Sequence, residues 1–335
     1  MKKILRILGV VILFVIVVYF LGPKPPKAEL SKDLPSISAS IGNVERYVED
    51  YDAGLKIKPD NESRIIWAND SVKERTDYCV LYLHGFSASY YEGFPANIEF
   101  SKYFGCNAYF PRLASHGIDS EDQLIDMTPD RLWESAKEAL MVARLLGRKV
   151  IIMSTSTGGT LGLKLASDFP EYVDGLILYS PNIQINNGTA FLLSKPWGLQ
   201  IGRKAIGGTH RTTNEDFGSK DCMYWNCKYR VEAIVFLQQL VEETMKKSTF
   251  RNVSTPVFLG YYYKDEANQD PTVRVDAMLK MFDELGTGSD AKVKVAFPEA
   301  GSHVIACELT SGCYRDVIAE TIKFGEEILK LKPVE

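Results

Sequence analysis

The sequence predicts an α/β protein with a doubly wound, mostly parallel β-sheet. Short apolar runs alternate along the chain with segments long enough to form helices. Runs that are apolar along their whole length are typical of buried parallel strands in βαβ units. The predicted strands are Cys79–Leu83, Asn107–Phe110, Val150–Met153, Leu176–Tyr179, Val257–Leu259 and Val293–Phe297.

The composition is that of an ordinary globular protein. The chain has 335 residues, of which 45% are hydrophobic and 24% are charged, and its formal net charge is -4. A chain of this length can form one large domain with a substantial core. Because basic residues are scattered among acidic ones, no broad positive field is expected, and nucleic acid is not a predicted partner.

Residues 1–21 are predicted to form a transmembrane signal-anchor. The run Ile4–Leu21 is apolar except for Arg6 and follows Lys2 and Lys3. About eighteen residues of helix nearly cross a bilayer core of roughly 30 Å. A cleaved signal peptide is the alternative, although no small-x-small cleavage site follows the run. The positive-inside rule then places the rest of the chain on the non-cytoplasmic side.

Two further segments depart from the alternation of strands and helices. Residues 22–36 are rich in proline and lysine, which predicts a semi-rigid linker that holds a domain of residues 37–335 off the bilayer. Residues 181–255 contain no clear strand and end in a helical pattern from about Arg230 to Met245. This second segment is predicted to be a largely helical insertion into the sheet domain.

Four of the six cysteines fall in two close pairs, Cys222 with Cys227 and Cys307 with Cys313. In an oxidising compartment both pairs are expected to form disulfides. A zinc site is less favoured, because neither pair has C-x-x-C spacing and no second cysteine–histidine cluster completes four ligands. For Cys79 and Cys106, buried thiols and disulfide bridges both stay open.

Ser156 lies at a predicted strand-to-helix turn. The strand Val150–Met153 runs into Ser154-Thr155-Ser156-Thr157-Gly158-Gly159, and an apolar helix start follows. A tight turn of this kind lifts the serine out of the sheet edge and needs small residues two positions on either side, where Ser154 and Gly158 stand. The alternative is a plain turn in which Ser156 caps the helix.

A nucleophilic serine needs a base and an acid that orients it. Of four histidines, His303 follows the last predicted strand, where a loop can return to the serine. Asp265 directly follows the strand that ends near Tyr261, and its position predicts that it is the orienting acid. The alternative for Asp265 is an ordinary turn aspartate, and Asp270 is a near competitor for the role of the acid.

Backbone amides that could hold an oxyanion are predicted at two places. His84-Gly85-Phe86 follows the strand Cys79–Leu83, and the glycine allows the Phe86 amide to face Ser156. The Thr157 amide, at the start of the next helix, would be the second donor. His84 itself is predicted to be a structural loop residue.

Taken together, these motifs resemble the α/β-hydrolase family, near its monoacylglycerol-lipase and carboxylesterase branch. The resemblance covers roughly residues 77–331 and keeps the family's chain order of serine, acid and histidine. It implies that the insertion at 181–255 is a lid. The sequence departs from the family at Ser154, where a glycine is usual. It departs again at Ser115, where a glycine often precedes the histidine of the loop Pro111-Arg112-Leu113-Ala114-Ser115-His116-Gly117.

The resemblance implies a serine hydrolase that cleaves carboxylic esters through an acyl-enzyme, with Ser156, Asp265 and His303 as the triad. No cofactor or metal is required. The aromatic and leucine-rich lid suggests a small-molecule ester with an apolar acyl part, which would suit an enzyme anchored beside lipid. Two alternatives remain: an acyltransferase that uses the same triad, and a non-catalytic, membrane-tethered binding module on the same fold.

Overall fold

The computed structural model describes residues 2–334, and its central element is a seven-stranded β-sheet of order β1-β3-β2-β4-β5-β8-β9. All neighbouring strands are parallel except β1, which pairs antiparallel with β3 at one edge. A separate antiparallel pair, β6 with β7, lies outside this sheet. The strands are β1 (Arg64–Ile66), β2 (Thr76–Leu83), β3 (Asn107–Phe110), β4 (Gly147–Thr155), β5 (Gly175–Tyr179), β6 (His210–Thr212), β7 (Lys228–Arg230), β8 (Val257–Tyr261) and β9 (Lys292–Ala296).

Helices cover both faces of the sheet. One apolar cluster contains buried side chains of α4, α5, α8 and α10, and the other contains those of α3 and α11. The helices are α1 (Lys2–Phe20), α2 (Val44–Asp52), α3 (Ala96–Tyr103), α4 (Pro129–Leu146), α5 (Thr157–Asp168), α6 (Gly198–Ile206), α7 (Lys220–Tyr224), α8 (Val231–Thr244), α9 (Lys247–Asn252), α10 (Val275–Glu284) and α11 (Tyr314–Glu327). Because each central strand is buried on both faces, its side chains are apolar without alternation.

The doubly wound, mostly parallel sheet is confirmed, and all six predicted strands are present, with no end more than three residues from its predicted place. The edge strand β1 was not predicted. Its three residues, Arg64–Ile66, are each only partly buried, so the sequence carries no continuous apolar run there.

Residues 181–255, which the sequence predicts to be a lid and which are called the lid segment or lid below, lie between β5 and β8 and contain α6 to α9 together with the short β6–β7 pair. Within it, the predicted disulfide Cys222–Cys227 is present. The predicted link between Cys307 and Cys313 is wrong, since both are free. The buried Cys307 thiol instead faces the Tyr91 carbonyl at 3.3 Å, while Cys313 is the residue before α11.

Helix α1 is long and apolar enough to cross a membrane, and none of its candidate span, Lys3–Phe20, is buried against the rest of the protein. By length and composition, this helix could be a membrane anchor or a signal sequence.

The linker after α1 does not stand away from the domain. The Trp197 amide donates to the Pro23 carbonyl at 2.8 Å, and Gln239 Nε2 donates to the Pro26 carbonyl at 2.6 Å. Farther along, Trp133 Nε1 donates to the Ser31 carbonyl at 2.6 Å. One backbone amide and two side chains of the domain therefore hold the linker along the domain, where the sequence predicted a free spacer. That the linker holds the domain off a bilayer stays a prediction.

Candidate active site

Ser156 occupies a strained turn between β4 and α5. Its φ of 53° and ψ of -116° lie outside the regions that L-residues ordinarily adopt. The turn is held because the Ser156 amide donates to the Tyr179 carbonyl at 3.0 Å and the Asn182 amide donates to the Ser156 carbonyl at 2.9 Å. The side chain thus stands at the N-terminus of α5, where the helix dipole favours negative charge.

Close packing around this turn explains its small residues. A Cβ atom added to Gly158 would lie 1.9 Å from the Leu83 carbonyl oxygen, so only glycine fits there. Ser154 is accommodated because its Oγ, fully buried, donates to the Ile177 carbonyl of β5 at 3.2 Å. A serine is therefore tolerated at this position because its buried hydroxyl has a hydrogen-bond acceptor in the neighbouring strand.

His303 lies in the loop that follows β9 and is paired with an aspartate. Its Nδ1 is 2.6 Å from Asp270 Oδ2. Its Nε2 is buried and has no hydrogen-bond partner among residues 2–334. Burial lowers the pKa of His303, but the charge and hydrogen bond of Asp270 outweigh it and leave the pKa above its ordinary value. The pairing fixes Nδ1 as the donor, which leaves Nε2 free to accept a proton.

The partner of His303 is Asp270, not the predicted Asp265. Asp270 is 1% exposed, and its other oxygen accepts from the Thr272 amide at 2.8 Å and the Val273 amide at 3.0 Å. Burial raises the pKa of Asp270. The charge and hydrogen bond of His303, together with the amide hydrogen bonds, have a larger opposite effect and leave the pKa below its ordinary value. The carboxylate is therefore ionised at neutral pH.

Asp265 lies at the exposed tip of the loop after β8. Its Oδ1 accepts from the Ala267 and Asn268 amides, each at 2.9 Å, so it closes a local turn. Sequence reasoning placed the acid too early because this loop extends outward before it returns to the sheet. The neighbouring residues distinguish the two aspartates. Asp265 stands between the charged residues Lys264 and Glu266, which indicates an exposed position, whereas Asp270 is followed by Pro271 and, three residues on, by the buried Val273.

The predicted amide donors, Phe86 and Thr157, precede and follow Ser156 in the chain. Thr157 is the first residue of α5, so its amide is one of those without an acceptor inside the helix. Phe86 follows β2, and its ring packs edge-on against Tyr229 of the lid, with centroids 5.0 Å apart. Both amides remain predicted oxyanion donors.

His84 is a structural residue in this arrangement. Its Nε2 accepts from the Leu113 amide at 3.1 Å, and its Nδ1 faces the Gly85 carbonyl at 2.9 Å. Burial, followed by the charge of His116, holds the pKa of His84 well below its ordinary value. It therefore stays neutral and joins the loops that follow β2 and β3.

The lid lies close over this region, and Ser156 is only 6% exposed. The Asn226 amide in the lid donates to the Ser87 carbonyl at 2.6 Å, and the Tyr224 ring stacks on Tyr91 with centroids 3.9 Å apart. Lys58 Nζ donates to the Trp225 carbonyl at 2.8 Å. These contacts fix the disulfide loop, residues 222–227, against the segment that follows β2 and against Lys58, which precedes β1.

Comparison with known families identifies the family of this chain. A model of the alpha/beta hydrolase family matches residues 80–307, which is more than half of the chain. The chain belongs to the alpha/beta hydrolase family. This confirms the resemblance found in the sequence, and the fold is that of a hydrolase with lipase and esterase neighbours.

Solved structures resemble this hydrolase over most of its length. One, described for the metagenome-derived lipolytic enzymes LipS and LipT, has a TM-score of 0.62 at 15% identity and covers 80% of this chain and 98% of its own. A Saccharomyces cerevisiae monoglyceride lipase has a TM-score of 0.54 at 14% identity, covering 90% and 97%. A Paleococcus ferrophilus monoacylglycerol lipase has a TM-score of 0.54 at 14% identity, covering 78% and 98%. At these identities the likeness shows a shared fold. No curated protein sequence matched the chain.

Proposed function

We propose that this hydrolase cleaves carboxylic esters through an acyl-enzyme formed on Ser156. The observation that carries the proposal is the 2.6 Å pairing of Asp270 with His303 Nδ1, which leaves Nε2 without a partner among residues 2–334. A base with this orientation and a serine raised on a strained elbow are the two parts that acyl transfer needs.

The proposed reaction has two halves, acylation and deacylation of Ser156, and His303 transfers the proton in both. Ser156 Oγ attacks the substrate carbonyl carbon, and His303 Nε2 accepts the hydroxyl proton. His303 then returns that proton to the departing alkoxide, which leaves as an alcohol and gives the acyl-enzyme. Water repeats the sequence, giving its proton to His303 and releasing the carboxylic acid with Ser156 restored. Asp270 stabilises the imidazolium in each half-reaction.

The amides of Phe86 and Thr157 are the proposed oxyanion donors. Charge that develops on the carbonyl oxygen is stabilised best by donors already fixed in position. The hydrogen bonds that hold the Ser156 turn and the packing of Phe86 on the lid support such a fixed arrangement.

A groove in the lid supports the proposal that the substrate has an apolar acyl group. A groove of about 520 Å³ runs among apolar lid side chains and borders Pro271 and Thr272, immediately after Asp270. The lid also touches α1, because Trp197 Nε1 donates to the Val18 carbonyl at 3.1 Å. If α1 spans a bilayer, this contact places the lid at the membrane surface, where lipid-type esters are available.

The proposed location is a membrane anchored through α1, with the catalytic domain on the non-cytoplasmic side. The basic residues before the apolar run and the Cys222–Cys227 disulfide support this orientation. Protease added from the non-cytoplasmic side should digest the domain, and protection of the domain would reverse the topology.

Hydrolysis of p-nitrophenyl acetate and p-nitrophenyl palmitate by the purified full chain in detergent tests the proposed activity. We expect turnover of both esters, with the higher kcat/KM on palmitate because the longer chain buries more apolar surface. Release of p-nitrophenol with transfer of the acyl group to an added alcohol, but not to water, would indicate an acyltransferase. No turnover of either ester would favour a binding module.

A further inference from the structure

Glu92 is a buried carboxyl group beside the candidate active site that the proposed mechanism does not use. It lies in a single 3-10 turn, Tyr90–Gly93, and is 2% exposed. Its Oε2 accepts a hydrogen bond from the Gly85 amide. Burying a carboxyl group is costly, so a position of this kind needs a physical account.

The Glu92 carboxyl and Ser156 flank the same glycine. A Cβ atom added to Gly85 would lie 2.7 Å from Glu92 Oε1 and 3.0 Å from Ser156 Cβ. The next residue is Phe86, whose amide is a proposed oxyanion donor. A hydrogen bond to the Gly85 amide therefore acts on the turn that presents the Phe86 amide to the serine.

Close packing holds Glu92 in this place. A Cβ atom added to Gly93 would lie 2.4 Å from the Tyr82 ring, so the turn approaches β2 as closely as glycine allows. From the lid side, Tyr224 stacks on Tyr91, the neighbour of Glu92. The carboxyl group is thus enclosed between the sheet and the disulfide loop.

The titratable groups that face Glu92 are His303 from the loop after β9, Tyr82 from β2 and Cys307 from the loop before α11. Lys220 of α7 and Glu308 lie farther out, around the Tyr91 hydroxyl. Burial raises the pKa of Glu92 to about 8, against smaller opposing effects of the Gly85 amide, His303 and Trp225. Burial also raises the pKa of Cys307 to about 11 and that of Tyr82 well above its usual range.

On the basis of the proposed function, we propose that Glu92 is a positioning residue that supports the Gly85–Phe86 turn through the Gly85 amide and that opposes oxyanion formation when it is ionised. The physical reason is the sign of the charge. A carboxylate near a developing oxyanion, in a site of low dielectric, raises the energy of that oxyanion, whereas a neutral acid does not. The same carboxylate favours the His303 imidazolium, whose pKa it raises, so the proposal is that the effect on the oxyanion is the larger of the two. A carboxylic acid kept neutral beside an oxyanion is a recognised arrangement in other enzymes.

The pH dependence of kcat/KM for p-nitrophenyl acetate tests this inference. In the wild type, activity requires neutral His303 and uncharged Glu92, so we expect a bell-shaped profile. Its alkaline side should fall about tenfold per pH unit above the Glu92 midpoint of about 8. Glu92→Gln keeps an oxygen for the Gly85 amide but cannot ionise, and its profile should lose the alkaline fall.

Glu308→Gln is the matched control. Glu308 is an exposed acid that accepts from the hydroxyl of Tyr91, the neighbour of Glu92, at 2.8 Å. We expect its profile to keep the alkaline fall. If Glu92→Gln does not fold, Glu92→Asp supplies the test, because a shorter side chain should move the alkaline midpoint.

An unchanged alkaline midpoint in Glu92→Gln or Glu92→Asp would overturn the inference, as would a wild-type profile with no alkaline fall. A Glu92→Gln variant that lost activity equally at every pH would also overturn it, because that result indicates a purely structural role. In each of these cases, an active wild type with inactive Ser156→Ala leaves the proposed function in place. Wild-type protein without esterase activity would instead contradict the proposed function itself.

Discussion

Replacing Ser156 by alanine is expected to lower kcat on p-nitrophenyl acetate by roughly four to six orders of magnitude. His303→Ala should cost a similar factor, because the serine hydroxyl is a weak nucleophile without a base. The double variant should lose little more than either single variant, since the two groups act in one step. Initial rates at saturating ester, with circular dichroism to verify folding, measure the three effects.

His210→Ala is a matched control for this comparison. His210 is also hydrogen-bonded to an aspartate, with its Nε2 3.1 Å from Asp122 Oδ1, but it lies on the short lid strand β6. We expect the variant to keep wild-type kcat. A folded Ser156→Ala protein with near-normal turnover would mean that the elbow is only a strained turn.

Asp270→Asn is expected to lower kcat by roughly three to four orders of magnitude, because an amide does not stabilise the imidazolium and can select the wrong histidine tautomer. Asp265→Asn is the matched control, and it should change kcat by no more than about twofold, since Asp265 closes an exposed turn away from His303. Steady-state kinetics on the same ester distinguish the two.

The pH profile gives a second readout of Asp270. Because the charge and hydrogen bond of Asp270 raise the pKa of His303 against the effect of burial, Asp270→Asn should shift the acidic side of the kcat/KM profile to lower pH. A damaging Asp265→Asn together with an active Asp270→Asn would contradict the pairing in the structure.

The sheet and the serine elbow could be predicted from the sequence because their constraints are local. Continuous apolar runs identify strands buried on both faces, and Gly158 marks the place where α5 passes within contact of the Leu83 carbonyl. The exception is the edge strand β1. Its three residues are half-buried and pair only with β3, so they do not form an apolar run that the sequence would show.

The acid could not be assigned from chain position alone. Both Asp265 and Asp270 follow β8, and the choice depends on how far the loop extends before Val273 bridges Ile185 in the lid. Glu92 was also missed, although an isolated acid within the aromatic run Tyr90-Tyr91-Glu92-Gly93-Phe94 is a signal of a buried carboxyl. The positions of Asp270 and Glu92 in the fold depend on contacts between segments that are distant in the chain.

Contacts between distant segments also determine where the linker binds and which cysteines form a disulfide. Proline-rich composition indicates a stiff chain but not the surface that it binds, here the lid residues Trp197 and Gln239. Close spacing in the chain favours a disulfide at both predicted pairs, yet Cys307 is turned toward the Tyr91 carbonyl instead of Cys313.

The most direct test of the central claim is covalent labelling with a fluorophosphonate probe, followed by peptide mass mapping of the full chain. The probe reacts with a serine that an adjacent base activates, so we expect a single adduct on Ser156. Labelling should be lost in His303→Ala and strongly slowed in Asp270→Asn, but not in Asp265→Asn. Absence of the adduct from folded wild-type protein, or an adduct on another serine, would show that Ser156 is not the activated nucleophile.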